Sequence, residues 1–254
     1  MQSRRINQQP AYVLHRRPYR NSSLLVELLT RDHGRVGVIA RGARQLKSRY
    51  HGLLAQFQPL LVAWSGRGEL GSIGQVERDG TAFHLHGNSL VCGFYVNELL
   101  MRLMHRDDPS PAIFYAYKQV LGTLADGKVG NEIALRLFER DLLEALGYGL
   151  ALAFDAETGE AIRPESVYNY FLDKGPTLAN GGTTSRGGVE TIRLRGSSLT
   201  ALARGELDDI DTLKEVKRLT RMTLGRLLGN KPLNSRSLFR ERITAGTKTA
   251  NIES

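Results

Sequence analysis

The 254-residue chain holds a single cysteine, Cys92, so neither an intrachain disulfide nor a thiolate metal cluster can form. Cys92 lies in the apolar run LVCGFYV, the setting of a buried, inert thiol. Long hydrophobic runs are missing too. The most apolar stretch, Leu90 to Met104, is interrupted by Asn97, Glu98 and Arg102 and is too short to span a bilayer. The opening MQSRRINQQP lacks the apolar centre of a signal peptide, so a reducing, cytoplasmic setting is expected. Acids are scarce in the first fifty residues, where two face eleven Lys and Arg.

The usual marks of enzyme chemistry are also missing. No Walker loop and no G-x-S-x-G elbow occurs. GRGELG (Gly66, Gly68, Gly71) fits G-x-G-x-x-G, but its continuation SIGQVERDG reads as a strand. A dinucleotide site needs a helix there, so a glycine-rich hairpin is expected instead. His84 and His86 in FHLH lack a third ligand at suitable spacing. Asp208, Asp209 and Asp211 precede a helix, where acids favour the helix dipole and Asp211 or Thr212 can cap it. Neither a cofactor nor a catalytic site is expected.

What the chain has is positive charge, unevenly placed. The net charge is +9 and the pI about 9.8. Residues 1–50 carry +9, residues 51–211 carry −7, and residues 212–242 carry +7, while Lys248 and Glu253 cancel. Two basic ends flank an acidic middle, which suggests a polyanionic partner.

Five segments in the first eighty residues read as strands: AYVLHRRPYR, SLLVELLTRD, RVGVIARGAR, PLLVAWSGRG and SIGQVERDG. Turn residues separate them at Asn21-Ser22, His33-Gly34, Gln58-Pro59 and Gly68. Such a series fits a small closed barrel of the OB type, and an SH3-like barrel has a similar strand count. From residue 89 the hydrophobic period becomes helical. Helices are predicted over 89–106, in SPAIFYAYKQVLGTLAD, in NEIALRLFERDLLEALG between Asn131 and Gly147, and over 212–228. Residues 155–196 lose this order and read as loops with one or two short strands. A short basic helix, SRSLFRERI, comes last.

Two basic features invite a functional reading. In GRVGVIARGARQLKSRY, a strand runs into a loop bearing Arg41, Arg44, Lys47 and Arg49. Arg16, Arg17 and Arg20 stand on a neighbouring strand and turn, with Tyr12, Tyr19 and Tyr50 interleaved. Cations that follow phosphates beside rings that stack bases are the pattern of single-strand binders. On helix 212–228, Lys214, Lys217, Arg218 and Arg221 share a narrow sector away from Leu213, Val216, Leu219 and Leu227. That face suits DNA or an acidic peptide.

Several blocks in the same order resemble the RecO family of bacterial recombination mediators. They are AYVLHRRPYRNSSLLVELLTRDHGRVGVIARGAR, QPLLVAWSGRGEL, GFYVNELLMRLM, ALRLFERDLLEALGYG and RLTRMTLGRLLGNKPLNSRSLF. The resemblance implies an α+β chain, with a five-stranded OB-fold barrel over 1–82 and a helical domain over 83–245. That domain would hold a loop-rich insertion at 155–196, and 246–254 would form a flexible tail. It implies a cytoplasmic, nucleoid-associated protein of the RecFOR pathway that binds single- and double-stranded DNA and anneals complementary strands without ATP. With RecR it would help load RecA onto strands coated by single-stranded-DNA-binding protein (SSB). Arg16, Arg17, Arg35, Arg41, Arg44, Lys47 and Arg49, together with Lys217, Arg218 and Arg221, would then be DNA contacts. Arg136, Phe138, Arg140 and Leu142 would receive the acidic C-terminal tail of SSB. Some members carry a four-cysteine zinc module in the insertion; FDAETGEAIRPESVYNYFLDKGPTLANGG has no cysteine, so no metal is expected here. A nucleic-acid-processing enzyme with a dispersed site, or an adaptor that binds only protein, is the alternative.

Overall fold

A computed structural model describes residues 4–66, 69–179, 191–229 and 232–235. The basic segment SRSLFRERI beyond Ser235, the expected tail 246–254, and Gly68 lie outside the described residues.

Five strands form the first element group: β1 (Arg4–Tyr19), β2 (Ser23–Thr30), β3 (Gly34–Ala40), β4 (Leu60–Gly66) and β5 (Leu70–Arg78). They close in the order β1-β2-β3-β5-β4. All neighbours are antiparallel except β3 and β5, which run parallel. That order is the Greek-key barrel of the OB type, which removes free sheet edges. Alternation decides which side chains enter. Val13, Val26, Leu28, Val36, Val38, Leu60 and Val62 point inward and make the barrel core. Gly71 lies within strand β5 rather than at the start of a helix, so the last glycine of GRGELG opens no helix toward a pyrophosphate. Between β3 and β4, residues 41–59 contain no helix and cross the barrel as a series of turns.

Helices α1 (Gly87–Leu103) and α2 (Pro111–Asp126) follow. Ser110 accepts from the Ile113 amide at 3.4 Å and Pro111 opens α2, as capping chemistry demands. Both helices pack on the outward side of the barrel. Tyr12 points away from the barrel core and meets Phe114 and Tyr117 of α2, with ring centroids 5.4 and 5.1 Å away. Asn97 of α1 donates to the Leu14 carbonyl at 3.0 Å and accepts from the Tyr117 hydroxyl at 2.7 Å. Strand β1, α1 and α2 thus share one buried polar chain. Burial pushes Tyr117 well above its ordinary pKa and Tyr12 up to about 12, the latter with help from Asp79, so both phenols stay protonated. The link after α1 returns along β3: Asp107 donates its amide to the Arg35 carbonyl at 3.0 Å. Gly34 (φ +64°) permits this approach, since a Cβ there would stand 1.9 Å from the Asp108 carbonyl oxygen.

The chain divides into two compact units. The first holds the barrel, α1, α2 and residues 232–235, where Glu98 accepts from the amides of Asn234 and Ser235 at 2.8 and 2.9 Å. The second runs from Glu132 through α5. The division falls within the region expected as one helical domain, because α1 and α2 pack on the barrel.

The second unit contains α3 (Asn131–Ala145, of which Asn131 belongs to the first unit), β6 (Val167–Phe171), β7 (Gly175–Leu178), β8 (Thr191–Arg195), α4 (Gly196–Arg204) and α5 (Ile210–Leu228). Helix α3 ends in a Schellman turn. Gly147 (φ +81°) donates to Glu144 and Tyr148 to Leu143, at 3.0 and 2.9 Å. Helix α5 is capped by Asp209, not by Asp211 or Thr212: its carboxylate accepts from the Thr212 amide at 2.7 Å. Backbone donation from Thr212 holds the Asp209 pKa at about 2.

Residues 155–179 and 191–196 are more ordered than their composition implies. Among the described residues they form a three-stranded antiparallel sheet in the order β7-β6-β8, and they lead directly into α4. Tyr168, Tyr170, Ile192 and Leu194 pack with Leu199 and Leu202 of α4 and Val216 and Leu219 of α5. Asp155 ties the turn before this sheet to β7. It accepts from the amides of Glu157, Thr158 and Leu178 at 2.8, 3.0 and 2.8 Å.

Two outcomes follow from these buried polar joints. Asn97→Ala leaves the Tyr117 hydroxyl buried without its acceptor and should cost roughly 2–3 kcal/mol in urea denaturation. Tyr117→Phe in that background should add less than it does alone. For Asp155, burial alone would raise the pKa, but the donated amides outweigh it and hold the group below the ordinary carboxylate value. Its stabilisation is therefore full above the unfolded value of about 3.9 and is lost as pH falls through the folded value. Thermal melting from pH 7 to 3 should show this acid sensitivity reduced in Asp155→Asn, at the expense of stability near neutrality.

Candidate nucleic-acid interface

The β1–β2 hairpin turns through Arg20–Ser22, with Tyr19 paired to Ser23 and Arg20 in the left-handed region (φ 51°). The loop after β3 docks on that turn. Arg44 donates its amide to the Ser22 carbonyl at 2.9 Å and its guanidinium to the carbonyls of Asn21 and Arg20 at 3.2 and 3.4 Å. Further along, Arg16 donates to the Leu54 carbonyl at 2.9 Å, and Gln56 to the Leu14 carbonyl at 2.7 Å. Tyr50 enters the barrel core, with its hydroxyl donating to the Ile73 carbonyl at 3.1 Å. The Arg49 guanidinium lies 4.8 Å from the Tyr50 ring centroid and donates to the hydroxyl at 2.5 Å. The loop is thus braced at several points.

This bracing places Arg16, Arg17, Arg20, Arg41, Arg44, Lys47 and Arg49 on the β1–β2 hairpin and the docked loop, all of them exposed. Among the described residues, no acid stands within ion-pair distance of any of the seven. Arg49 also borders a cleft of about 590 Å³ lined by residues of β1, β4 and β5. Arg5, Asn7, Ala63, Ser65 and Gln75 complete much of its lining. Arg5 is exposed and likewise has no ion-pair partner among the described residues. Alternation in the sequence marks a strand only from Ala11, whereas β1 begins at Arg4 and passes a left-handed Gln8, so Arg5 does not stand out there. The paired basic residues Arg4-Arg5 were the available signal.

Other expected contacts are corrected by their surroundings. Arg35 does not face solvent with the loop. Its guanidinium donates to the Met101 carbonyl at 2.9 Å and lies 3.9 Å from Glu27, whose carboxylate also receives Arg106. Burial lowers the Arg35 pKa, with Glu27 opposing that shift. Tyr12 and Tyr50 are 2% and 4% exposed, so neither offers a face to a base. Tyr19 is half-buried, and the Arg20 guanidinium stands 5.3 Å from its ring centroid.

On α5, Lys217 pairs with Glu132 and Lys214 with Asp211, leaving Arg218 and Arg221 exposed without an ion-pair partner among the described residues. The expected peptide pocket on α3 does not form at its named residues. Arg136 is 4% exposed and donates to Glu139 at 2.7 Å along the same helix. Phe138 and Leu142 are buried in the core. Arg140 is engaged by Asp141 and donates to the Leu202 carbonyl near the end of α4 at 2.8 Å. None of the four can close over an incoming carboxylate and aromatic ring.

Residues 1–79 match the family model described as Recombination protein O N terminal, and residues 84–237 match Recombination protein O C terminal. The chain belongs to the RecO family. Among the RecO relatives, the DNA repair protein RecO of Coxiella burnetii (strain RSA 331 / Henzerling II) is 48% identical over 237 residues, which cover 93% of this chain and 99% of that one. RecO of Methylococcus capsulatus is 49% identical over 230 residues, covering 91% of each chain. RecO of Azoarcus sp. (strain BH72) is 40% identical over 237 residues, covering 93% of this chain and 96% of that one. The N-terminal RecO match coincides with the closed barrel, which ends at Arg78.

The geometry separates cations that hold the fold from cations that do not. Arg35→Met, which removes a partner of the buried Glu27, should lower stability by about 1–3 kcal/mol. Arg41→Ala and Lys47→Ala should each stay within about 0.5 kcal/mol of the parent. Urea midpoints at equal slope measure both.

Proposed function

We propose that this RecO-family chain is a non-enzymatic recombination mediator whose barrel binds the phosphates of single- and double-stranded DNA. The observation that carries the reading is the set of exposed cations on the β1–β2 hairpin and the docked loop, without acidic partners among the described residues. Cations placed so repel one another, and a polyanion relieves that repulsion while releasing its own counterions. Arg5 and Arg49 extend the track along the cleft beside β4 and β5. Small side chains there, Ala63 and Ser65, leave room for a backbone to approach.

Phosphate contact without base readout suits a protein that brings complementary strands together whatever their sequence. Annealing then needs no ATP, because pairing itself supplies the free energy. The family relationship supports a role beside RecR in placing RecA on SSB-coated strands. Arg218 and Arg221 of α5 would give an anion a second contact. That the relatives are DNA repair proteins agrees with this reading.

Changing Arg41, Arg44 and Lys47 together to Ala should weaken binding to unrelated oligonucleotides equally. It should also flatten the slope of log affinity against log salt by roughly 0.7 per lost contact on single strands. Annealing of complementary oligonucleotides in metal-free buffer should slow in parallel. Unchanged affinity and slope in a folded variant would overturn the assignment of the loop. A product that forms only with ATP or a metal would overturn the non-enzymatic reading.

A further inference from the structure

Leu46 is 99% exposed, and it lies at the tip of the basic loop. A lone exposed leucine is ordinarily of no consequence. This one is presented by a braced turn: Gln45 donates to the Gly42 carbonyl and Ser48 to the Gln45 carbonyl, each at 3.1 Å, while Arg44 anchors the loop on the β1–β2 turn. Its flanking cations, Arg44, Lys47 and Arg49, have no ion-pair partner among the described residues. A partner that engages these cations and Leu46 together has to offer anions and an apolar interior within one side chain's reach of each other. Nucleic acid does so, with phosphates outside and stacked bases within.

We propose that Leu46 is a wedge that enters between adjacent bases once phosphates are seated on Arg44, Lys47 and Arg49. Apolar side chains of this size unstack base steps in proteins that deform DNA. An unstacked base presents its pairing edge to a complementary strand, which gives the barrel a part in annealing beyond charge neutralisation. The inference rests on the DNA-binding reading above, and its test separates the two.

The full chain is titrated at low salt onto single- and double-stranded oligonucleotides carrying 2-aminopurine, whose fluorescence rises on unstacking, with anisotropy recorded in parallel. The parent should bind and raise the fluorescence. Leu46→Ala should bind within about twofold of the parent with the same salt slope, since no phosphate contact is lost, yet lose most of the rise. Leu46→Met should keep it. A parent that binds without any rise, or a Leu46→Ala variant that retains it, overturns the wedge and leaves DNA binding standing. Failure of the parent to bind overturns the DNA-binding reading itself. Concentration-dependent self-association that disappears in Leu46→Ala, with an unchanged rise, would assign Leu46 to a contact between protein copies and overturn the wedge.

Discussion

Tyr12, Leu14, Leu25 and Leu29 point away from the barrel core and yet are no more than 5% exposed. An apolar surface on the outside of a barrel must be covered, and each such side chain contributes about 1.5–3 kcal/mol when buried. Helices α1 and α2 answer that requirement, and the polar chain from Leu14 through Asn97 to Tyr117 fixes their register. OB barrels commonly offer the face of strands 2 and 3 to oligonucleotides. Here that face is buried against the protein's own chain, with Leu25 and Leu29 of β2 no more than 5% exposed. Its outward charges have become structural, with Glu27 held between Arg35 and Arg106.

One side of the barrel is committed to folding, and the exposed cations of the barrel cluster on the β1–β2 hairpin and the loop after β3. The hairpin and loop cations lack acidic neighbours among the described residues, whereas several helix cations have them: Arg136 with Glu139, Lys214 with Asp211, Lys217 with Glu132. An equal count of arginines on two surfaces can therefore mean different things. Net charge at the sequence level does not separate them. Proximity to carboxylates does.

Much of the architecture was legible because it is local. The five barrel strands announce themselves by alternation and turn residues, and α2 by Ser110 and Pro111 at its start. The sheet β6 to β8 was underestimated because its strands are only four or five residues long and lie among glycines and threonines. Their stability comes from partners far along the chain, such as Leu199 and Val216. Helix α4 begins with Gly196 and has no side-chain cap, so nothing local marks its start. At the interface, the loop cations were visible as a cluster, but the fate of Arg35 was not. It depends on Glu27 across the sheet and on α1, sixty-six residues away in sequence at Met101. The α3 arginines misled for the same reason: amphipathic spacing gives the face of a helix, not which face the rest of the fold will cover.

The carboxylate of Glu27, enclosed by two guanidinium groups, gives the covered side of the barrel its own counter-ion, whereas among the described residues the hairpin and loop cations have no acid within ion-pair distance. The barrel is therefore electrically polar, with a basic pole at the hairpin and loop and a compensated one beneath the helices. A polyanion diffusing nearby experiences a torque as well as an attraction, so it is turned toward the basic pole before any side chain touches it. That alignment acts over roughly a Debye length, about 8 Å at physiological ionic strength. It favours productive encounters over mere residence, a kinetic advantage for any surface that captures a polyanion from solution.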